Sequence, residues 1–369
     1  MSAPAAVIEG KGVSVERGGV LTLDVPYIDV REGEVFSLIG PNGAGKTTLL
    51  QTVAHLVPFT GQIFFRGRRV GSDYPVLAYR RCLAMVFQEP LLFDATVFEN
   101  AASGLKIRGL KKAAIREAVT EALGRFGIMG LKDRSARSLS GGEAQRTSLA
   151  RAFAVRPEVM LLDEPFSSLD PMSREPLIED MEAAVRTTGT TTVLVTHDLM
   201  EALRLSDRIA VMHGGRILQA GPAEEVMNAP VDEFVASFVG AGTLLKGQVD
   251  GAKGDDVAVI TVGGRQIEAA GRIARGERVT LYIRPENVTL STSDGATAEG
   301  PQVTSARNVI PGVVTRVASM GLYQKVSLDC GFPLVSYITG ESREALRVAE
   351  GRHLTVSFKA TAVHVIKKS

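Results

Sequence analysis

A glycine-rich segment at residues 40–47 constrains this chain more than any other feature. It reads GPNGAGKT and fits the pattern G-x-x-x-x-G-K-[ST], in which backbone N–H groups converge on phosphate oxygens with no Cβ in the way. The apolar run at 35–40 is typical of a buried strand, and residues 46–56 are typical of a helix. A glycine-rich turn without function is the alternative, but this context favours a phosphate site at a helix N-terminus.

The side chains of this segment indicate separate roles in binding a nucleoside triphosphate. Lys46 would neutralise the β- and γ-phosphates, and the Thr47 hydroxyl would bind Mg²⁺, which prefers oxygen ligands. The residues predicted to bind nucleotide here are Gly40, Pro41, Asn42, Gly43, Ala44, Gly45, Lys46, Thr47 and Thr48.

Two adjacent carboxylates follow a second apolar run, at residues 159–162. We expect this strand to deliver Asp163 beside the phosphate loop as a further Mg²⁺ ligand. Glu164 is the natural general base, because its carboxylate can orient and polarise an attacking water. A strand capped by solvated acids is the alternative, and the phosphate loop in the same chain argues against it.

Length and composition indicate two domains and exclude several classes. The chain has 369 residues, more than one hydrophobic core usually supports, and its net charge of +1 gives no field that would attract nucleic acid. Cys82 and Cys330 have no Cys or His at metal-ligand spacing, which favours unpaired thiols in a reducing compartment. No signal peptide is evident, and the apolar runs are too short to span a membrane. A membrane role would therefore require a partner.

The pattern of the chain changes near residue 240. Residues 1–240 alternate short apolar runs with helical patterns, which predicts an α/β domain with a helical insertion at about 90–140. Residues 244–369 are Val- and Thr-rich with frequent Gly turns, which predicts a β domain. Residues 274–290 align with 349–365, which indicates two related halves, about 244–292 and 303–367, joined by a polar linker at 293–302. Chance similarity between strands is the alternative.

Four further motifs make the first domain resemble the ATPase subunits of ABC transporters. Residues 139–146, LSGGEAQR, resemble the signature sequence. Gln88 resembles the Q-loop glutamine, Asp170 the D-loop aspartate and His197 the switch histidine. The motifs occur in the family's order over about residues 7–240. The resemblance implies a P-loop ABC ATPase domain of α/β class that hydrolyses ATP.

This resemblance also implies partners. Two copies would form a homodimer around two ATP molecules, with Asp170 among the nucleotide-binding residues and with Mg²⁺ as cofactor. Gln88 would contact Mg²⁺ or the attacking water, and His197 would hydrogen-bond the γ-phosphate. The dimer would bind integral membrane permease subunits at the cytoplasmic face of the membrane, and a solute-binding protein indirectly; no nucleic acid is expected. The ATP of the other subunit would be capped by Ser140, Gly141 and Gly142.

Two points within this domain stay open. Arg17 stands where the family usually places an aromatic residue against adenine; its guanidinium can stack on a base, and Tyr27 is the alternative. An apolar stretch after Gln88 either faces the permease or packs within the helical insertion, and it contains Leu91, Leu92, Phe93 and Phe98.

Residues 304–308 with Gly312, and residues 358–363, make the second domain resemble the molybdenum-binding mop type of small β-barrel, which is OB-like. The resemblance implies an importer of tungstate or molybdate, with tungstate favoured. A regulatory oxyanion would be bound by donors, or these residues merely cap barrel turns; they are Ser305, Arg307, Asn308 and Lys359. Import of another solute such as sulfate, and a soluble ABC ATPase outside transport, are the alternative functions.

Overall fold

The computed structural model describes residues 5–240, 242–254, 256–292 and 305–367. It divides into two compact units, Met1–Ala223 and Glu224–Ser369. The predicted linker at 293–302 and Thr304 lie outside the described residues. Within the described parts of the chain, no helix has the length and apolar character needed to cross a membrane.

The first unit begins with an antiparallel sheet. Its strand order is β2-β1-β4-β5. Gly18 and Gly19 form the hairpin between the first two strands, and both have the positive φ that such a two-residue turn requires. Alternate residues of the long strands are buried, so one face packs on the core. The strands are β1 (Ala6–Arg17), β2 (Val20–Arg31), β4 (Thr60–Phe65) and β5 (Arg68–Arg69).

The second sheet of this unit is mainly parallel, with strand order β10-β9-β3-β8-β7-β6. Its central strands are apolar and fully buried, as expected where helices cover both faces. The carboxyl ends of neighbouring parallel strands lie at one edge of a sheet, so the segments after β3, β7 and β8 meet there. The strands are β3 (Val35–Ile39), β6 (Leu83–Val86), β7 (Val159–Asp163), β8 (Thr191–Thr196), β9 (Arg208–His213) and β10 (Arg216–Pro222).

The helices of this unit include the insertion that the sequence predicts. α3, α4 and α5 pack around a shared apolar cluster that contains Val97, Leu123, Phe126 and Leu149. Short 3-10 turns at Met129–Leu131 and Ala136–Ser138 connect α4 to α5. The helices are α1 (Lys46–Val53), α2 (Val76–Cys82), α3 (Val97–Ile107), α4 (Lys112–Arg125), α5 (Gly141–Ala154), α6 (Pro171–Thr188) and α7 (Leu199–Leu205).

In its described residues the second unit contains two five-stranded antiparallel sheets that share an apolar cluster, so the predicted β-rich fold is confirmed. The strand orders are β13-β12-β11-β14-β20 and β15-β19-β16-β17-β18. The elements are α8 (Ala223–Asn228), α9 (Glu233–Val239), β11 (Thr243–Ala252), β12 (Val257–Val262), β13 (Arg265–Ala270), β14 (Arg278–Ile283), β15 (Thr289–Ser291), β16 (Asn308–Ser319), β17 (Gln324–Asp329), β18 (Pro333–Ile338), α10 (Gly340–Ala345), β19 (His353–Phe358) and β20 (Val363–Lys367).

The two aligned segments of this unit have the same order of elements. β14, a 3-10 turn at Pro285–Asn287 and β15 correspond to β19, a 3-10 turn at Ala360–Ala362 and β20. In both segments the chain leaves one sheet after the turn and joins the other, since β15 pairs with β19 and β20 pairs with β14. The two halves therefore exchange strands, and neither sheet is complete without both.

The boundary between the units falls earlier than the expected residue 240. α9 packs on the β strands of the second unit, where Ala236 contacts Tyr282 and Ile366. Thr280 Oγ1 donates a hydrogen bond to Glu233 Oε1 at 2.6 Å, which ties the same helix to β14. These contacts make α9 part of the second unit, although its composition resembles that of the α/β part.

Candidate functional site

The glycine-rich loop turns sharply between β3 and α1, and glycine is required at two of its positions. A Cβ at Gly40 would lie 2.3 Å from the carbonyl oxygen of Met212, and the φ of Gly40 is 155°. Gly45 is the N-cap of α1, with a φ of 99° that other residues rarely adopt. The loop borders a cavity of about 290 Å³ lined by Arg17, Thr22, Asn42, Gly43, Ala44, Gly45, Lys46, Thr47, Thr48 and Glu164.

Lys46 is drawn into this loop by backbone carbonyls. Its side chain is only 5% exposed, and Nζ donates hydrogen bonds to the oxygens of Gly40 at 2.8 Å and Pro41 at 3.1 Å. Burial lowers the pKa of the ammonium, while the carboxylates of Glu164 and Asp163 oppose that shift. Glu164 Oε1 lies 4.0 Å from Nζ. The ammonium is thus held at the end of the loop where an incoming anion would meet it.

Thr47 and Asp163 form an oxygen pair. Thr47 Oγ1 donates a hydrogen bond to Asp163 Oδ1 at 2.8 Å, and Asp163 is 5% exposed. Burial raises the pKa of the Asp163 carboxyl, while the bond from Thr47 opposes the shift. A buried carboxylate beside a hydroxyl is a donor set that suits Mg²⁺, which would also relieve the unfavourable burial of the negative charge.

Glu164 follows β7 in a strained conformation, with a φ of 45°. Its Oε2 lies 3.1 Å from His197 Nδ1, so the residue after β8 meets the residue after β7. Gln88 is not among the residues that line the cavity. It reaches Glu164 indirectly, because Gln88 Nε2 donates to Ser167 Oγ at 3.3 Å and Ser167 Oγ donates to the Glu164 carbonyl at 3.0 Å.

Arg17 and Tyr27, the two candidates for contact with adenine, differ in their position relative to the cavity. Arg17, at the end of β1, lines the cavity together with Thr22. Tyr27 is half exposed further along β2 and does not line it. Thr22 was not predicted from the sequence, since it belongs to no motif; its hydroxyl donates to the Val15 carbonyl at 3.0 Å.

The signature segment lies on an exposed turn before α5. Ser140 is the N-cap, and it shares a capping box with Glu143: the Glu143 N–H donates to Ser140 Oγ at 3.3 Å, and the Ser140 N–H donates to Glu143 Oε2 at 2.8 Å. Asp170 caps α6 in a similar way. Gly142 approaches Ser173 of α6. None of these residues lines the phosphate cavity of its own chain.

The four oxyanion candidates of the second unit are not brought into one cavity. Asn308 is buried, where its Oδ1 accepts from the Glu268 N–H at 2.7 Å and its Nδ2 donates to the Glu268 carbonyl at 2.9 Å. Arg307 Nη1 is 3.8 Å from the Glu268 carboxylate, an acceptor that would repel an anion. Ser305 is exposed, and Lys359 borders a separate cavity of about 760 Å³. Arg307 is exposed just before β16, whereas Asn308 is buried as the first residue of that strand.

Comparisons with known proteins agree with this geometry. Residues 23–167 match the family model described as ABC transporter, and residues 304–365 match the model described as TOBE domain. The molybdate/tungstate import ATP-binding protein WtpC of Pyrococcus horikoshii is 37% identical over 91% of this chain and 93% of its own length. The spermidine/putrescine import ATP-binding protein PotA of Ruegeria pomeroyi is 36% identical over 92% of this chain and 90% of its own.

Among solved structures, that of cbiO1 from Clostridium perfringens, part of the ABC transporter complex cbiONQ, superposes with a TM-score of 0.56. It is 30% identical and covers 60% of this chain and 90% of that one. The fold, the loop geometry and the relatives lead to one assignment. The chain belongs to the ABC transporter family, as the ATP-hydrolysing subunit of an importer, with a TOBE domain at its C-terminal end.

Proposed function

We propose that this chain drives import of tungstate or molybdate as one of two identical ATPase subunits bound to a membrane permease. The observation that carries the ATPase part is the meeting of Lys46, the Thr47–Asp163 pair and the Glu164–His197 pair at one edge of the parallel sheet. The choice of cargo rests on the WtpC relatives. Relatives that import spermidine or putrescine are almost as similar, so a polyamine is the second candidate.

The phosphate loop would hold the triphosphate, with its N–H groups and Lys46 directed at the phosphate oxygens. Mg²⁺ would be held by Thr47 and Asp163 and would neutralise charge on the phosphates. Gln88 would have to leave Ser167 to join these ligands. Arg17 would stack its guanidinium on adenine, because it lines the same cavity as the phosphate loop.

Glu164 would take a proton from a water molecule as the water oxygen bonds to the γ-phosphorus. The bond from that phosphorus to the oxygen of the β-phosphate breaks, and ADP and phosphate leave. His197 would hydrogen-bond the γ-phosphate and hold Glu164 in place through the present 3.1 Å contact. The hydrogen bonds from Gln88 through Ser167 reach the backbone carbonyl of Glu164 and would help to hold the backbone of this residue in place.

The second half of each site would come from the partner subunit. The N–H groups of Gly141 and Gly142 at the start of α5 would form a second anion site, and neither residue lines the phosphate cavity of the same chain. In a two-fold dimer, such a surface can close the site of the other copy. The residues that would act there are Ser140, Gly141, Gly142 and Asp170.

An apolar groove supports a permease contact. It has a volume of about 450 Å³, and its lining includes the exposed side chains of Leu77, Phe93 and Ile107. Phe98 instead packs on the apolar cluster of the helical insertion. Phe93 therefore supports a permease contact for the stretch after Gln88, and Phe98 supports packing within the insertion. A cytoplasmic segment of the permease would cover the groove and place this chain at the membrane surface.

Replacement of Glu164 by Gln tests the hydrolytic step. Glu164→Gln keeps the shape and removes the base, so we expect turnover of ATP to fall by about 10²- to 10⁴-fold while ATP binding is retained. Glu117→Gln, a change of the same type on the exposed face of α4, is the control and should leave both unchanged. Full turnover by Glu164→Gln would remove this residue as the base.

The cargo needs a separate experiment. Uptake of tungstate, molybdate, sulfate and spermidine should be followed in cells with and without this chain, and loss of tungstate or molybdate uptake alone is expected.

Calorimetry of the full chain with the same three oxyanions tests a regulatory site in the second unit. Heat from tungstate or molybdate that is lost in Arg307→Gln or Lys359→Gln would support these residues as ligands, and no heat for any anion would favour a structural TOBE domain.

A further inference from the structure

Arg174 connects the segment that follows Asp170 to the segment that follows His197. It stands in the first turn of α6, four residues after Asp170. Its guanidinium reaches the start of α7, which follows the turn that carries His197. No motif in the sequence includes Arg174, and it does not line the phosphate cavity.

Three hydrogen bonds hold the guanidinium. Arg174 Nη2 donates to Asp198 Oδ2 at 2.5 Å and to Glu201 Oε1 at 2.6 Å, and Nε donates to Glu201 Oε1 at 3.0 Å. Glu201 is only 5% exposed, so Arg174 supplies the positive charge that makes its burial tolerable. Asp198 also accepts from the N–H groups of Met200 and Glu201 as the N-cap of α7.

The turn that carries His197 depends on the same residues. The Asp198 N–H donates to Thr196 Oγ1 at 3.0 Å, and Thr196 Oγ1 in turn donates to the carboxylate of Glu201. The backbone on both sides of His197 is therefore fixed to the Arg174 cluster. The side chain of His197 is 51% exposed, so few neighbours fix it directly. Its contact with Glu164 therefore depends on how the Arg174 cluster holds the backbone of the turn.

We propose that Arg174 is a positioning residue for hydrolysis: through Asp198 and Glu201 it sets the place of His197 relative to the Asp170 loop. The inference rests on the proposed function, because it takes His197 as part of the hydrolytic site. The three hydrogen bonds from Arg174 are charge-assisted, so together they favour one arrangement of the turn over others. A change at the Asp170 loop would thus reach His197 through one side chain.

A second arginine provides a matched control. Arg204 also bridges α7 to α6, with its guanidinium near Glu175 at 2.9 Å and Glu182 at 3.1 Å. Its side chain is 35% exposed, against 30% for Arg174. It lies at the other end of α7, away from His197. Loss of Arg204 therefore removes ion pairs between the same two helices without releasing the turn.

The test compares kcat and the KM for ATP in the full chain for Arg174→Ala, Arg174→Lys and Arg204→Ala. We expect Arg174→Ala to lower kcat about tenfold, which corresponds to about 1.4 kcal/mol, with KM changed less than about twofold because Arg174 does not line the phosphate cavity. Arg174→Lys should recover part of the rate. Arg204→Ala removes only ion pairs with more exposed carboxylates, so it should lower the thermal midpoint less than Arg174→Ala does and should keep the wild-type kcat.

Several outcomes would overturn the inference. They are a wild-type kcat in Arg174→Ala, or an equal loss of kcat in Arg204→Ala. If Arg174→Ala does not fold, Asp198→Asn replaces it, because asparagine keeps the N-cap and removes the charge that Arg174 binds. A wild-type kcat in Asp198→Asn would likewise contradict the positioning role of Arg174. A wild-type chain without ATPase activity, or His197→Ala with full activity, would instead contradict the proposed function.

Discussion

Lys46 shows how one residue can be prepared for a charged ligand. Its ammonium is almost fully buried and donates hydrogen bonds to two backbone carbonyls. A bound phosphate would offer the ammonium a negatively charged acceptor in place of these neutral carbonyl oxygens. The expected cost of losing a charged hydrogen bond is about 1.5–3 kcal/mol. Lys46→Ala should therefore weaken ATP binding by about 10- to 100-fold.

A fluorescent ATP analogue titrated into the full chain measures this change. Lys106→Ala, at an exposed position on α3, is the control and should bind like the wild type. Circular dichroism checks that the fold persists. An unchanged dissociation constant for Lys46→Ala would show that the loop binds phosphate without this side chain.

Cys330 gives a prediction about pH. Burial raises the pKa of its thiol to about 11, so at pH 8 about one molecule in a thousand carries the reactive thiolate. The pKa of Cys82 is also raised by burial, but its side chain is partly exposed. With iodoacetamide at pH 8, Cys82 should be alkylated first, and Cys330 only after denaturant is added.

Mass spectrometry of tryptic peptides separates the two thiols. Because the raised pKa keeps the Cys330 thiol neutral, any residual labelling of the folded chain should increase as pH rises toward 11. Labelling of Cys330 as fast as that of Cys82 in the native chain at pH 8 would mean that the second unit opens readily around β17 and β18.

At the scale of elements, Asn308 ties β16 to β13. Both ends of its amide bond the backbone of Glu268, and the site is buried. Asn308→Ala would leave a buried N–H and a buried carbonyl without partners, at about 1–3 kcal/mol each. We expect the unfolding of the second unit to shift to lower denaturant by a corresponding amount.

Urea unfolding followed by β-sheet circular dichroism measures this cost. Ser305→Ala, at an exposed neighbouring position, is the control and should change the free energy of unfolding by less than about 0.5 kcal/mol. Stability of Asn308→Ala equal to that of the control would show that the two strands need no such connection. It would also leave Asn308 free for the oxyanion role expected from the sequence.

The parts of the site that the sequence predicts are those that lie within one element or at its end. The phosphate loop and the Asp163–Glu164 pair lie in short contiguous motifs, so backbone geometry alone brings them together at the strand ends. Arg174 and Asn308 act through partners far along the chain, and no local pattern indicates such a pair. The sequence does not predict the exchange of β15 and β20 between the two halves, for the same reason. The aligned segments show that the halves have similar sequences, but strand pairing depends on contacts between the halves.

At the scale of the whole molecule, the proposed homodimer would divide each ATP site between two chains. The phosphate cavity is formed by one set of elements, and the N-terminal turn of α5 is exposed elsewhere on the same unit. In a head-to-tail dimer each composite site takes one half from each copy. Damage to either half should therefore be inactivating in a pure variant, yet the two kinds of damage should complement each other.

Mixing two inactive variants tests this arrangement directly. Lys46→Ala damages the phosphate loop, and Gly142→Asp places a negative charge where the other copy's triphosphate would lie; a Cβ at Gly142 meets only Ser173, at ordinary contact distance. In a random equal mixture about half of the dimers are mixed and keep one intact site of two, so about a quarter of wild-type ATPase activity should return. Activity that stays at the level of the separate variants would show that each chain completes its own site.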